Sequence, residues 1–167
     1  MEALLMVGDK PKTQTEQLLD AFISRLQVAF DLELAIELFP ENPVIYRLNH
    51  AVGAILVAYG KSTFGASEAT DAVFQARNMN FQLTLIFRQL HGVDGATSYL
   101  DRIRECLTGW KPPHCDMACR PTAEFFIGQV QGVWQYGLTI ATRAVQLQTM
   151  GPESGPLLAD AQFEEYP

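Results

Sequence analysis

Positive charge is scarce in this sequence of 167 residues. Twelve Lys and Arg stand against nineteen Asp and Glu, giving a net charge of −7. A protein that wraps nucleic acid needs a basic footprint, so that class is excluded, although a surface past which DNA slides without adhering is not. No apolar run approaches the roughly 20 residues that a membrane helix needs. The first residues, MEALLMVGDKPK, carry a Glu where a secretory leader would carry Lys or Arg, and their apolar patch is short. Synthesis in a cytosol is therefore the expectation. Cysteine is equally sparse: Cys106, Cys115 and Cys119 are odd in number and clustered, which is no disulfide framework. Nucleophile elbow, phosphate loop, dinucleotide fingerprint and zinc-helix motif are all missing. Nothing in the pattern predicts a cofactor.

What is present is a globular composition, with 48% hydrophobic and 19% charged residues, on a chain long enough for one domain. Its clearest stretch lies between Gly53 and Leu90. Phe81, Leu83, Leu85 and Phe87 alternate with Asn80, Gln82, Thr84 and Arg88, as in a strand with one buried and one wet face. Ile86 breaks the pattern as an apolar residue on the polar face, placed to meet a second layer or a neighbouring subunit. Ala54 to Tyr59, bounded by Gly53 and Gly60, reads as a second strand. The polar, small-residue run from Lys61 to Asp71 reads as an exposed loop between them.

Along the rest of the chain, Thr13 and Glu16 have the spacing of a capping box. The apolar stripe Leu18, Leu19, Phe22, Ile23, Leu26, Ala29 and Phe30 then predicts a helix over about 13–30. Asp31 to Leu38 alternates and reads as a strand before Pro40 and Pro43, and Val44 to Leu48 as a further extended piece. Ala96, Tyr99, Leu100, Ile103 and Leu107 predict a second helix, capped by Asp94 or Thr97 and stopped at Gly109. Trp110, Pro112, Pro113 and Pro121 frame a loop that holds the cysteines. From Thr122 to Leu147 one or two long strands are expected, with Gly128 and Gly132 as turn or bulges.

The fold class expected is α+β, a mostly antiparallel sheet with two main helices packed on it. Residues 1–12 are expected to form a flexible arm, 13–148 a single domain, and 149–167 an acidic Pro/Gly-rich tail. His114, Cys115 and Cys119 are the one set that resembles a metal or thiol site, and the second Cys pair usual in zinc sites is missing.

The runs GAILVAYGKSTF, VFQARNMNFQLTLIFRQLHG, GATSYLDRIRECLTGW and FFIGQVQGVWQYGLTIAT together resemble a family of tail-terminator or tail-completion proteins. These belong to Mu-like and other contractile-tailed phages and to phage-tail-like bacteriocins. The resemblance covers about Leu18 to Thr142, through structural rather than catalytic motifs. It implies a tail-terminator-like fold and a structural virion protein, not an enzyme. It further implies a ring of the protein's own copies, a hexamer by the family pattern, that caps the tail tube. The partners implied are the tail tube protein, the sheath protein, and the connector or neck protein of the head. DNA would pass through the lumen without specific binding, and no membrane is involved. The location implied is the virion, after assembly in the host cytoplasm. Candidate interface residues are Lys61, Ser62, Thr63, Phe64, Glu68 and Asp71 of the expected loop, Ile86, and Phe163 and Tyr166 of the tail. Three alternatives accompany this reading. They are a neck or head-completion protein of the same joint, a small intracellular enzyme using His114, Cys115 and Cys119, and an adaptor binding a peptide by strand addition.

Overall fold

In a computed structural model, which describes residues 8–151, helix α1 spans Gln14–Phe30 and the order continues β1(Ala35–Leu38), β2(Gly53–Phe64), β3(Phe74–Phe87), α2(Ala96–Leu107), β4(Cys115–Val130) and β5(Val133–Leu147). The five strands make one sheet in the order β1-β2-β3-β5-β4. Only β1 pairs in parallel, with Ala35 opposite Ala54; the other three pairings are antiparallel. This is the α+β class read from the sequence.

Helix α1 starts as its capping box predicts. The Thr13 amide and hydroxyl donate to Glu16 Oε2 at 2.9 and 3.0 Å, and these two bonds hold the Glu16 carboxyl below its usual range. The stripe Leu18, Phe22, Leu26 and Phe30 is buried against the sheet face formed by Ile55, Val57, Met79, Phe81, Leu83, Leu85, Phe87, Leu138 and Ile140. Phe22 packs tilted against Phe81 with ring centroids 4.6 Å apart and meets Trp110 edge-on at 5.1 Å. Helix α2 buries the five residues expected of it. Its start differs from expectation: Gly95 is the N-cap, and backbone carbonyls replace a side-chain cap. The Ala96 and Thr97 amides donate to the carbonyls of Gln89 and Leu90. A Cβ on Gly95 would sit 2.4 Å from the His91 carbonyl oxygen, so only glycine permits this close return of the chain. Arg102 joins the two helices, bonding Glu33 at 2.7 Å while lying over the Phe30 and Tyr99 rings.

Several expected boundaries shift. Asp31 to Glu33 form a turn rather than strand, with Leu32 at φ 62 and exposed, because the chain must reverse out of α1 before Leu34 re-enters the core. Pro43–Ile45 is a turn of 3-10 helix instead of an extended piece. The predicted loop from Lys61 to Asp71 is mostly strand at its start: Lys61, Ser62, Thr63 and Phe64 pair with Asn80, Met79, Asn78 and Arg77. A bulge between Tyr59 and Lys61 breaks the alternation that would have revealed this. The cysteine loop is likewise strand from Cys115 onward. β4 lies at the sheet edge, where Pro121 can sit without costing a ladder bond and register shifts hide the period of two.

The strands β4 and β5 are joined at Gln131 and Gly132, with φ 51 and 77. Two consecutive positive φ values match the right-handed twist of a tight hairpin.

Candidate assembly surfaces

With the helices covering one face, three features remain outward: an apolar strip along β4, a groove on the helix-free face, and the tip between β2 and β3. The strip comes from Phe125, Phe126, Ile127 and Val130, which are 46%, 54%, 50% and 54% exposed. Phe126 belongs to an aromatic cluster with Tyr136 (5.3 Å) and Trp134 (6.1 Å). Phe125 lies on the opposite face, its ring resting over Gly137, where an added Cβ would be 2.4 Å away. Pro121 and four register shifts make β4 a poor template for an arbitrary extra strand. What this edge offers is therefore side-chain surface more than a free backbone ladder. At the other margin, β1 pairs with β2 only from Ala54 to Val57, and among the described residues no strand pairs with Ala58 to Phe64 on that side.

The groove, about 430 Å³ in volume, lies between the 39–48 segment and the β4–β5 turn. Its floor is Leu56, Thr84 and Ile86, and its apolar walls include Phe39, Val44, Val130 and Val133. Ile86 is 5% exposed and forms a second small core with Ala54 and Leu56, against which Tyr46, Leu48 and Val133 pack. The apolar residue on the wet face thus meets a second layer supplied by its own chain. Arg88 ties that layer down, donating to the carbonyls of His50 at 2.8 Å and Leu48 at 3.1 Å. His50 itself accepts the Val52 amide at its Nδ1.

At the β2–β3 tip, the remaining loop is 65–73. Glu68 and Asp71 are exposed there, and Ser67 holds the loop by accepting from the Phe74 amide. Phe64 is exposed at the end of β2. Beside it, Arg77 donates to Ser62, to Thr15 of α1 and, at 3.5 Å, to the Tyr59 hydroxyl. The Ser62 bond and Arg77 together lower the Tyr59 phenol below its usual value. Lys61 and Thr63 are exposed strand residues. Phe163 and Tyr166 lie outside the described residues.

The chemical candidates do not converge on one site: the two cysteines face Thr142 inside the core and His114 faces outward. Cys115 and Cys119 are buried in the main core, and burial pushes the Cys119 thiol up to about 12 and that of Cys115 up as well. His114 points outward, its Nε2 paired with Gln17 at 2.8 Å. A thiol held protonated is a poor nucleophile and a poor metal ligand. Among the described residues, no three His, Cys, Asp or Glu side chains gather as a metal set. No described helix is long and apolar enough to cross a membrane.

Comparison with known proteins adds a family match over residues 22–165, described as Gp37 protein. The chain belongs to the Gp37 protein family. The match runs through the whole sheet and on through the acidic tail. No curated protein matches. Among solved structures, a chain of the "Virion of native gene transfer agent (GTA) particle" is similar at 14% identity, with a TM-score of 0.44. That similarity covers 77% of this chain and 95% of the other.

Proposed function

We propose that this Gp37-family protein is a structural component of a phage-type virion, a tail terminator whose copies close into a ring on the end of the tail tube. The observation that carries the reading is the pair of unlike margins on one sheet. One is the exposed apolar end of β4; the other is the stretch of β2 from Ala58 to Phe64, which no described strand pairs on that side. Unlike surfaces at opposite ends of a subunit form head-to-tail contacts, and such contacts close into a ring when the rotation between copies divides a full turn. Four exposed apolar side chains clustered at one end of an edge strand, on both of its faces, mark an association surface rather than scattered surface residues. The resemblance of the GAILVAYGKSTF, LDRIRECLTGW and GVWQY segments to tail terminators, and membership of the family, supply the kind of particle.

The partners in this reading are the tail tube protein, the sheath protein and the neck protein of the head. The tip around Phe64, Glu68 and Asp71 serves as the axial contact. A net charge of −7 suits a lumen through which DNA moves, because carboxylates repel phosphates and leave nothing for the backbone to adhere to. The burial of Cys115 and Cys119, with His114 turned outward to Gln17, favours this structural role over thiol or metal chemistry.

The test is to add the purified protein to its cognate tail tube protein during polymerisation and measure tube lengths by electron microscopy. Capped tubes with a shortened length distribution are expected. Unchanged lengths, with no added density at tube ends, would remove the terminator role.

A further inference from the structure

We infer that residues 1–7, MEALLMV, add a strand to the open margin of β2 in their own chain, running parallel to it in the lane that β1 begins. That lane is half filled. β1 ends with Leu38 opposite Val57, and the Phe39 amide donating to the Val57 carbonyl at 2.8 Å is the last backbone bond on that side among the described residues. Beyond it, alternate backbone groups of β2 face a side where no described strand pairs with them, the kind of edge that proteins cover with their own chain. The β4 strand of a neighbouring copy does not fill it, since Pro121 and its register shifts leave side-chain surface rather than a ladder.

The side chains bordering the lane fit this segment. Tyr59 and Ser62 lie opposite Phe81 and Met79 of the main core, and Phe64 opposite Arg77, so these three sit on the helix side. Lys61, opposite Asn80, sits on the other. Tyr59 and Phe64 remain 37% and 52% exposed, apolar rings at an edge that lacks a neighbour. Glu2 is the one charged side chain of residues 1–7, and Lys61 is the one charged side chain between Ala58 and Phe64. Setting Glu2 opposite Lys61 in a parallel strand places Ala3 opposite Ser62 and Leu5 opposite Phe64, with Met1 turned toward Tyr59. An antiparallel segment with the same ion pair would run into the place opposite Val57 that Leu38 of β1 already holds.

The connection to α1 selects the same direction and the same chain. Thr15, in the first turn of α1, accepts from Arg77 at 3.0 Å, so the helix starts above the row of Phe64 and Arg77. A parallel strand ends close beneath that point. From Val7 to Thr13 the chain can span about 20 Å, roughly twice the separation of packed layers. So short a tether holds the segment beside its own edge at an effective concentration on the order of millimolar, which a second copy would have to exceed. The inference does not depend on the ring. Nor does it close this margin to a neighbour, because the added strand presents its own side chains to the apolar end of β4.

The test is a disulfide trap in the full chain, with Cys106→Ser as background and the buried Cys115 and Cys119 retained. Leu5→Cys is combined with Phe64→Cys, since neighbouring strands lie about 4.8 Å apart, within the span a disulfide bridges. Leu4→Cys with Phe64→Cys, on opposite faces, is the control. Circular dichroism confirms that each variant is folded, and non-reducing denaturing electrophoresis with peptide mass spectrometry follows oxidation. A disulfide within one chain is expected, forming about tenfold faster for the 5–64 pair than for the 4–64 pair. Glu2→Lys should slow it several-fold, and adding Lys61→Glu should restore it. Disulfide-linked dimers instead would assign the lane to a second copy and overturn the own-chain strand. Equal rates for the two pairs, or a folded protein that forms neither disulfide, would overturn the docked strand. Light scattering of the same samples reports assembly separately, so a failure here is told apart from a failure of the ring.

Discussion

Replacing Phe126 by Ala should weaken assembly far more than it weakens the fold. Phe126 leaves 54% of its surface exposed in the single chain. For a side chain of roughly 200 Å² that is about 100 Å², worth about 2.5 kcal/mol if a neighbour covers all of it. Alanine retains part of this, so the loss is about 2 kcal/mol, a factor of about 30 in each contact between copies. Within the chain, the same substitution removes the ring contacts to Tyr136 and Trp134. Each is worth about 0.5–1.5 kcal/mol, less where water still reaches the ring, so a fall of about 1 kcal/mol in stability is expected. The assay is mass by light scattering across a concentration series, paired with urea unfolding of the same preparation. Val28→Ala, at an exposed position on α1, is the control and should change neither. A folded Phe126→Ala protein whose mass-against-concentration curve matches the parent would refute the β4 strip as the contact.

Three further outcomes follow from the fold. Phe22 is fully buried between Phe81 and Trp110, so Phe22→Ala should cost about 3–5 kcal/mol, read as a lowered urea midpoint with unchanged slope. Cys119 holds its proton to about pH 12 in the fold and releases it near its ordinary value when unfolded. Its contribution is therefore intact below about pH 9 and declines as pH rises from there toward 12; Cys119→Ala should flatten that decline in paired urea titrations. Gln131 sits at φ 51 in the β4–β5 turn ahead of Gly132. Gln131→Asn, which places Asn-Gly in a turn of that type, should add about 0.3 kcal/mol of stability, read as a slightly higher thermal midpoint.

Much of the fold was legible in the sequence because its strongest signals are local. The Thr13–Glu16 box and the 3.6-residue stripe located α1, and the alternation around Phe81 to Phe87 located β3 with its buried face correct. The same alternation from Val133 to Thr142 located β5. Legibility failed where the period of two is interrupted. Gly60 marks a bulge in β2, and beyond it Lys61 to Phe64 have a polar composition that belongs to a strand's solvated end. Pro121 and repeated register shifts disguised β4, since edge strands tolerate what inner strands do not. Gly95 replaced the expected side-chain cap because nearby carbonyls already satisfied the first amides. The groove was invisible for a different reason: it joins residues 39–48, 84–88 and 130–135, which only sheet pairing brings together. Ile86 was its one local trace, an apolar residue out of phase on a polar face.

The central claim is that copies of this chain associate head to tail into a closed ring. Light-scattering mass after gel filtration, with negative-stain images of the same peak at several concentrations and with tail tubes added, tests it most directly. A closed ring of discrete mass, six-fold in projection, alone or seated on tube ends, is the predicted result. A monomer at every concentration that never joins a tube would contradict it.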